Sequence, residues 1–174
     1  MKRIAERGFT LVEIMIVVAI IALLAAIAIP NVLRGRTTAN ETSSIGNLRA
    51  LVSSLEMYRS VNNVYPQTAN WGADMYPGAG VPAFGPPSFN LATLAASQIQ
   101  GYAYTFTAGP GGCTDLLLNC VTYVVSSVPV IVNQTGTRAF FVSEAGTIRH
   151  VTGAGPASVT CNTIDQGPSV AGSC

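Results

Sequence analysis

Between positions 9 and 29 the chain reads FTLVEIMIVVAIIALLAAIAI, apolar at every position except Thr10 and Glu13. As a helix this stretch is long enough to cross a hydrocarbon core of about 30 Å. After Pro30 the pattern changes. Ile45, Leu48, Leu51, Val52, Leu55 and Tyr58 recur at helical spacing, while Asn47, Arg49, Ser53, Glu56 and Ser60 take the other faces. That arrangement predicts an amphipathic helix packed on a sheet. Pro30 lies inside the continuing pattern, where its missing N–H and its clash with the preceding turn either end the first helix or kink a longer one; Gly35 weakens the same region. Asn62-Asn63 and Tyr65-Pro66 supply the stop. One helix over residues 9–62 would be roughly 80 Å long at the standard rise, far more than a small domain needs.

The remainder reads as a connecting region followed by strands. Pro66, Pro77, Pro82, Pro86 and Pro87, with several glycines, mark a loop in which Trp71, Tyr76, Phe84 and Phe89 are expected to pack as pins. Residues 91–100 read as a short helix closed by Gly101. Tyr102, Tyr104 and Phe106 alternate with Ala103, Thr105 and Thr107, and residues 121–125, 137–142 and 148–151 give three more candidate strands, the last after a Glu144-Ala145-Gly146-Thr147 turn. The expected fold class is α+β.

Charge sets the topology. Lys2, Arg3 and Arg7 outnumber Glu6 ahead of the apolar run, so this flank stays in the cytoplasm and the rest is exported, N-in and C-out. A secretory signal peptide is a competing reading, with Ala26-Ile27-Ala28 as its cleavage site. Its apolar core would be only about 7–15 residues, however, and cutting there would leave Ile29-Pro30 near the new terminus. An uncleaved anchor explains the hydrophobicity but not Glu13. A charge at the centre of a membrane helix costs about 2.5–3.5 kcal/mol, yet Glu13 lies only about 6 Å along the helix from Phe9. There it can rest at the headgroups, mildly favoured by the helix dipole, or meet a partner, and energetics leave both open.

The sequence Gly8-Phe9-Thr10-Leu11-Val12-Glu13, followed by Pro30, resembles the class III signal and N-terminal helix of type IV pilins and type II secretion pseudopilins. The resemblance implies the type IV pilin fold, a long kinked N-terminal helix packed on a small antiparallel sheet. It implies that a prepilin peptidase/methyltransferase cuts between Gly8 and Phe9 and N-methylates Phe9. It further implies that Glu13 pairs with the Phe9 amine of an adjacent copy, and that Pro30 is a soft point in the helix. The stretch from Gly101-Tyr102 through Thr137-Arg138-Ala139-Phe140-Phe141 to Gly146-Thr147-Ile148-Arg149 is also similar to the sheet of bacterial major pilins and their G-type pseudopilin relatives. The expected organisation is a cleaved leader at 1–8, a membrane and assembly half-helix at 9–30, and an amphipathic half at 31–63. A helix-to-sheet loop at 64–101, an antiparallel sheet at 102–151 and a disulfide-bounded tail at 152–174 complete it.

Only 10% of residues are charged and the net charge is +1, so no basic field for nucleic acid is indicated. Cys113, Cys120, Cys161 and Cys174 all lie on the exported side, where disulfides persist. Four cysteines allow three pairings. The preferred ones are Cys113 with Cys120, closing a strand connection, and Cys161 with Cys174, which would resemble the disulfide-bounded C-terminal loop of many pilins. His150 is the single histidine and has no evident triad partner, so no catalytic residues, metal site or cofactor are assigned. Calcium, implied by the G-type resemblance, would draw on Asp115 and Asp165, but no multi-carboxylate loop supports it. Asn40-Glu41-Thr42 and Asn133-Gln134-Thr135 match the glycan acceptor pattern, and neither is assigned.

The expected role is structural: a subunit of a type IV pilus-like filament for adhesion, motility or a related surface function. Its partners would be itself as a helical homopolymer, membrane lipid before assembly, and the pilus or secretion assembly machinery. It would sit in the bacterial inner membrane first and in the extracellular filament afterwards. A secretion pseudopilin forming a periplasmic piston and a membrane-anchored binding module are the rivals.

Overall fold

The computed structural model describes residues 9–78, 80–109 and 120–153. The chain forms two compact units, divided between Arg36 and Thr37. One helix, α1, spans Leu11–Asn62, with Pro30 inside it rather than at its end. Pro30 has no N–H to offer the carbonyl of Ala26, and the Asn31 side chain adds a donor one position on, Nδ2 to the Ile27 oxygen at 3.0 Å. The helix stops where the asparagine pair predicts. Asn63 takes φ 61°, its N–H bonds the Arg59 oxygen at 2.7 Å, and the Asn62 amide caps the Tyr58 oxygen at 3.1 Å.

The second unit is the head. Its five-stranded antiparallel sheet is a simple meander in the order β1 (Ala95–Ile99), β2 (Tyr102–Ala108), β3 (Tyr123–Pro129), β4 (Arg138–Ser143), β5 (Ile148–Thr152). Tyr102 pairs with Pro129 and Ala108 with Tyr123, Val125 with Val142, and Phe140 with His150. Alternation sends Tyr102, Tyr104, Phe106 and Ala108 of β2, and Tyr123, Val125 and Ser127 of β3, into the buried set. Leu48, Leu51, Leu55 and Tyr58 of α1 complete that core. The expected helical stripe is thus the one that is buried, with Ile45 and Val52 partly covered at its margins.

One expectation fails. Residues 91–100 do not form a helix; they supply edge strand β1. Ala, Leu and Gln are good helix formers, but so short a helix does not repay its nucleation. A strand here closes on β2 through the two-residue turn Gln100-Gly101, with φ of 51° and 79°. Both central residues in the left-handed region make this the hairpin turn whose twist suits the flanking strands. The sheet therefore begins at Ala95, inside the region expected to be loop.

That connecting region is otherwise pinned as expected. Trp71 opens the short helix α2 (Trp71–Met75), and its indole Nε1 donates to the Phe89 oxygen at 3.0 Å. Trp71 packs on Phe106 at 4.9 Å, Phe89 edge-on to Tyr104 at 5.0 Å, and Phe84 edge-on to Tyr58 at 5.2 Å. The Tyr76 hydroxyl donates to the Pro86 oxygen at 2.8 Å.

Candidate functional site

The N-terminal candidates lie in the first unit. Phe9 is 79% exposed, and the large apolar side chains from Leu11 to Leu33 are exposed in succession. Thr10 is the N-cap of α1: its Oγ1 accepts the Glu13 N–H at 3.2 Å, and its carbonyl accepts the Ile14 N–H at 3.4 Å. Thr10 and Glu13 thus stand in the spacing of a capping box, in which the first residue satisfies an orphan donor and the acidic third helical residue meets the positive helix end. The dipole interaction at position 13 is the one the sequence predicts; the Thr10 cap is an addition, although Thr-x-x-Glu before an apolar run signals it. The box occupies the Glu13 backbone N–H and leaves the carboxylate exposed. Gly8 lies outside the described residues.

A second polar constellation lies in the head. Glu41 sits on the α1 face that continues the buried stripe, one turn before Ser44 and two before Leu48. Its Oε1 accepts the Thr137 N–H at 2.8 Å and the Thr137 hydroxyl at 2.6 Å. Its Oε2 accepts Arg138 Nε at 2.9 Å and Nη2 at 2.7 Å. Burial pushes this carboxyl up, but the Thr137 bonds, then those from Arg138 and its charge, outweigh it and leave the pKa below the ordinary value. On either side, Asn40 Nδ2 donates to the Thr135 oxygen at 2.9 Å, and Asn47 Nδ2 to the Tyr104 hydroxyl at 3.0 Å. The Ser44 and Ser127 hydroxyls bond each other in the buried interface. This seam holds α1 in register on β3 and β4. A polar residue at a stripe position was its only trace in the sequence.

At the other end of the head helix, the buried Tyr65 hydroxyl donates to Glu56 Oε1 at 2.6 Å and accepts Arg59 Nη1 at 2.9 Å. Burial and then the Glu56 bond push its pKa up to about 12, against the opposing effect of Arg59. The Arg59 guanidinium lies 5.0 Å from that ring's centre. These groups secure a helix end and present no nucleophile and base in reach of each other.

The other expected positions divide. Cys120 is fully buried in the core and disulfide-bonded. Cys113, Cys161 and Cys174 lie outside the described residues, as do Asp115 and Asp165. His150 is an exposed β5 residue whose ring is 6.4 Å from that of Phe140. Among the described residues, no three His, Cys, Asp or Glu side chains gather as metal ligands. The Asn40 side chain of the first glycan pattern is engaged with Thr135 of the second.

A capped apolar helix with one early carboxylate, running in the same element into a helix stripe buried on an antiparallel meander, defines a pilin-like fold. Residues 3–29 match the family model described as the prokaryotic N-terminal methylation motif. The type II secretion system core protein G of Escherichia coli (strain K12) is 33% identical over 114 residues, covering 66% of this chain and 72% of that protein. The type IV wide pilus major component PilA4 of Thermus thermophilus is 49% identical over 67 residues, 38% of this chain and 50% of that protein. The core protein G of Klebsiella michiganensis is 40% identical over 68 residues, 39% of this chain and 48% of that protein. Apart from the Escherichia coli match, the chain spans about half the length of these relatives or less. No solved structure gives a significant match. The chain belongs to the family of type IV pilins and type II secretion pseudopilins.

Proposed function

We propose that this chain is the structural subunit of a type IV pilus-like filament. The observation that carries the reading is the all-round exposure of the apolar side chains at residues 9–33. Each buried Val, Leu or Ile is worth about 1.5–3 kcal/mol, so a segment of this length needs lipid or copies of itself around it. Lipid serves before assembly and other subunits afterwards. In this reading the chain enters the bacterial inner membrane N-in and C-out, and the prepilin peptidase/methyltransferase cuts between Gly8 and Phe9 and methylates the new amine. The assembly machinery then extracts the subunit, and Glu13 pairs with the Phe9 amine of the adjacent copy. Pro30, which leaves one carbonyl of the ladder without its donor, is the soft point of α1. The links Cys113–Cys120 and Cys161–Cys174 close the head. The role is structural rather than catalytic.

The extent of the match to the Escherichia coli core protein G favours a second reading, a periplasmic pseudopilus built by the same subunit chemistry. One experiment separates them: sheared surface filaments from cells with and without the gene are imaged, and their main band is sequenced by mass spectrometry. Filaments composed of this chain, beginning at N-methylated Phe9, support the pilus. Loss of protein secretion on deletion, with no surface filament, supports the pseudopilus. A mature chain starting at Met1 or Ile29 overturns both, and a correctly cut chain that forms no filament in either setting leaves the anchored binding module.

A further inference from the structure

The stretch of α1 just beyond the apolar run carries two cations and no anion. Arg34 and Arg36 are exposed, and no carboxylate follows until Glu41. Residues 11–30 account for about 30 Å of helix, the thickness of the hydrocarbon core. Arg34 and Arg36 then lie about 6 and 9 Å beyond it, where the polar layer on each side is about 5–7 Å deep and a long arginine side chain reaches back into it. Val32 and Leu33, at the same depth, are exposed and apolar. An arginine near a helix end lays its apolar stem along the helix and carries its charge out to the headgroups, while apolar neighbours stay on the hydrocarbon side.

The two arginines also point apart. At about 100° per residue, positions 34 and 36 are separated by roughly 200° around the helix. A neighbouring protein helix covers one face, whereas a headgroup layer surrounds the helix and meets both cations at once. We infer that Arg34 and Arg36 form a two-sided cationic collar that binds the phosphate of anionic phospholipids in the outer leaflet of the inner membrane. It fixes the depth of the stored subunit. This inference rests on the membrane-stored, leader-cleaved subunit proposed above, and leader removal gives the collar its weight. Before the cut, Lys2, Arg3 and Arg7 hold the cytoplasmic end; after it, Arg34 and Arg36 are the only cationic side chains in residues 9–36. The two cationic side-chain charges of the stored segment then lie at its outer end, and the collar releases its lipid when the helix is drawn into a filament.

The test uses the mature protein beginning at Phe9, without residues 1–8, in vesicles of equal phosphatidylglycerol and phosphatidylcholine, extracted with detergent, with retained lipids counted by native mass spectrometry. Each cation near an anionic surface is expected to favour the anionic lipid about fivefold, so the pair gives an enrichment of tenfold or more at low salt. The Arg34→Gln/Arg36→Gln variant should lose that enrichment, Arg34→Lys/Arg36→Lys should keep it, and Arg49→Gln, the same charge change in the head, should leave it unaltered. Equal enrichment in the double Gln variant overturns the collar. So does displacement of the lipid by millimolar inorganic phosphate, which would identify a soluble anion as the ligand. A double Gln variant that keeps its lipid preference but no longer assembles overturns it in favour of subunit pairing. Flotation separates the two levels: protein that floats with vesicles yet shows no lipid preference fails the collar alone, whereas protein that does not float fails the membrane reading beneath it.

Discussion

The two halves of α1 share one secondary structure and differ in what covers them. Over residues 11–36 no side chain is buried within its own unit, and the polar groups are confined to the two ends. Over residues 37–62 one stripe, Glu41, Ser44, Leu48, Leu51, Ser54, Leu55 and Tyr58, is buried, and the other faces are polar or exposed. The upper half is completed by its own sheet. The lower half has no such cover within its own unit, and an exposed apolar surface of that extent marks an interaction surface. Helix continuity hides this contrast; burial reveals it.

The sharpest way to break the comparison is Glu13→Gln. Glutamine serves in a capping box as glutamate does, so the change preserves the cap and removes the charge. Insertion and cleavage should be normal. If the carboxylate pairs with an adjacent Phe9 amine, assembly should fall by more than about a hundredfold, because a charge left without its buried partner costs about 3–5 kcal/mol. Filament yield and the amount of mature monomer in the inner membrane are the readouts, and normal filament number from cells carrying only the variant would sink the pairing.

Leu51→Ala and Leu23→Ala place the same chemical change in the two halves. Leu51 is fully buried, and its truncation should destabilise the head by about 2–5 kcal/mol in urea unfolding of the mature protein in detergent. Leu23 is exposed within its own unit, and its truncation should leave that transition within about 0.5 kcal/mol. The chain's single tryptophan, Trp71, is fully buried and reports the transition by fluorescence. Equal effects would mean that the halves are not covered differently.

Glu41→Gln tests the seam and should cost about 1.5–3 kcal/mol, the range for hydrogen bonds to a charged group, since the Arg138 side chain is 41% exposed and screens its share. The pH dependence has a definite sign. The Glu41 pKa is lowered in the folded state, so its contribution is fully present above the ordinary carboxylate value and is lost as pH falls through the lowered one. Unfolding midpoints between pH 7 and pH 3 should decline less steeply in the Gln variant. A parallel decline would assign the acid sensitivity to other groups.

Thr10→Val should have the most local effect, a loss of about 1 kcal/mol confined to the first turn of α1. Amide exchange should rise at the Glu13 N–H and leave the head unchanged. Loss of protection that spread from this turn to the Leu48 region would show the halves acting as one cooperative unit.

Much of this was legible because it is local. Apolar spacing marked the stripe of α1, the asparagine pair its stop, and period-two alternation the inner face of β2. The failures are also informative. β1 carries no β-branched residue before Ile99, and the Ala95-Ala96-Ser97-Gln98 stretch favours helix in isolation; its pairing with β2 across Gln100-Gly101 overrides that preference. Glu41 passed as part of a glycan pattern because a carboxylate looks exposed until four donors converge on it. Gly136 gave no signal either, yet a Cβ there would strike the Tyr102 hydroxyl, which itself donates to the Arg138 oxygen at 2.9 Å.

The sequence alone determined the family motif, the length and polarity of the apolar segment, the stop of α1 and most of the strands. These are properties of contiguous residues, carried by side-chain periodicity and charge order, and no distant contact is needed to read them. Only the tertiary structure decided that β1 is a strand and that Glu41 is a buried anchor joining α1 to β4. The anchor and the strand arise from groups far apart in the chain whose pairing exists only after the core of Leu48, Leu51, Leu55 and Tyr58 has closed on the sheet, and a hydrogen bond's worth is set by the burial around it.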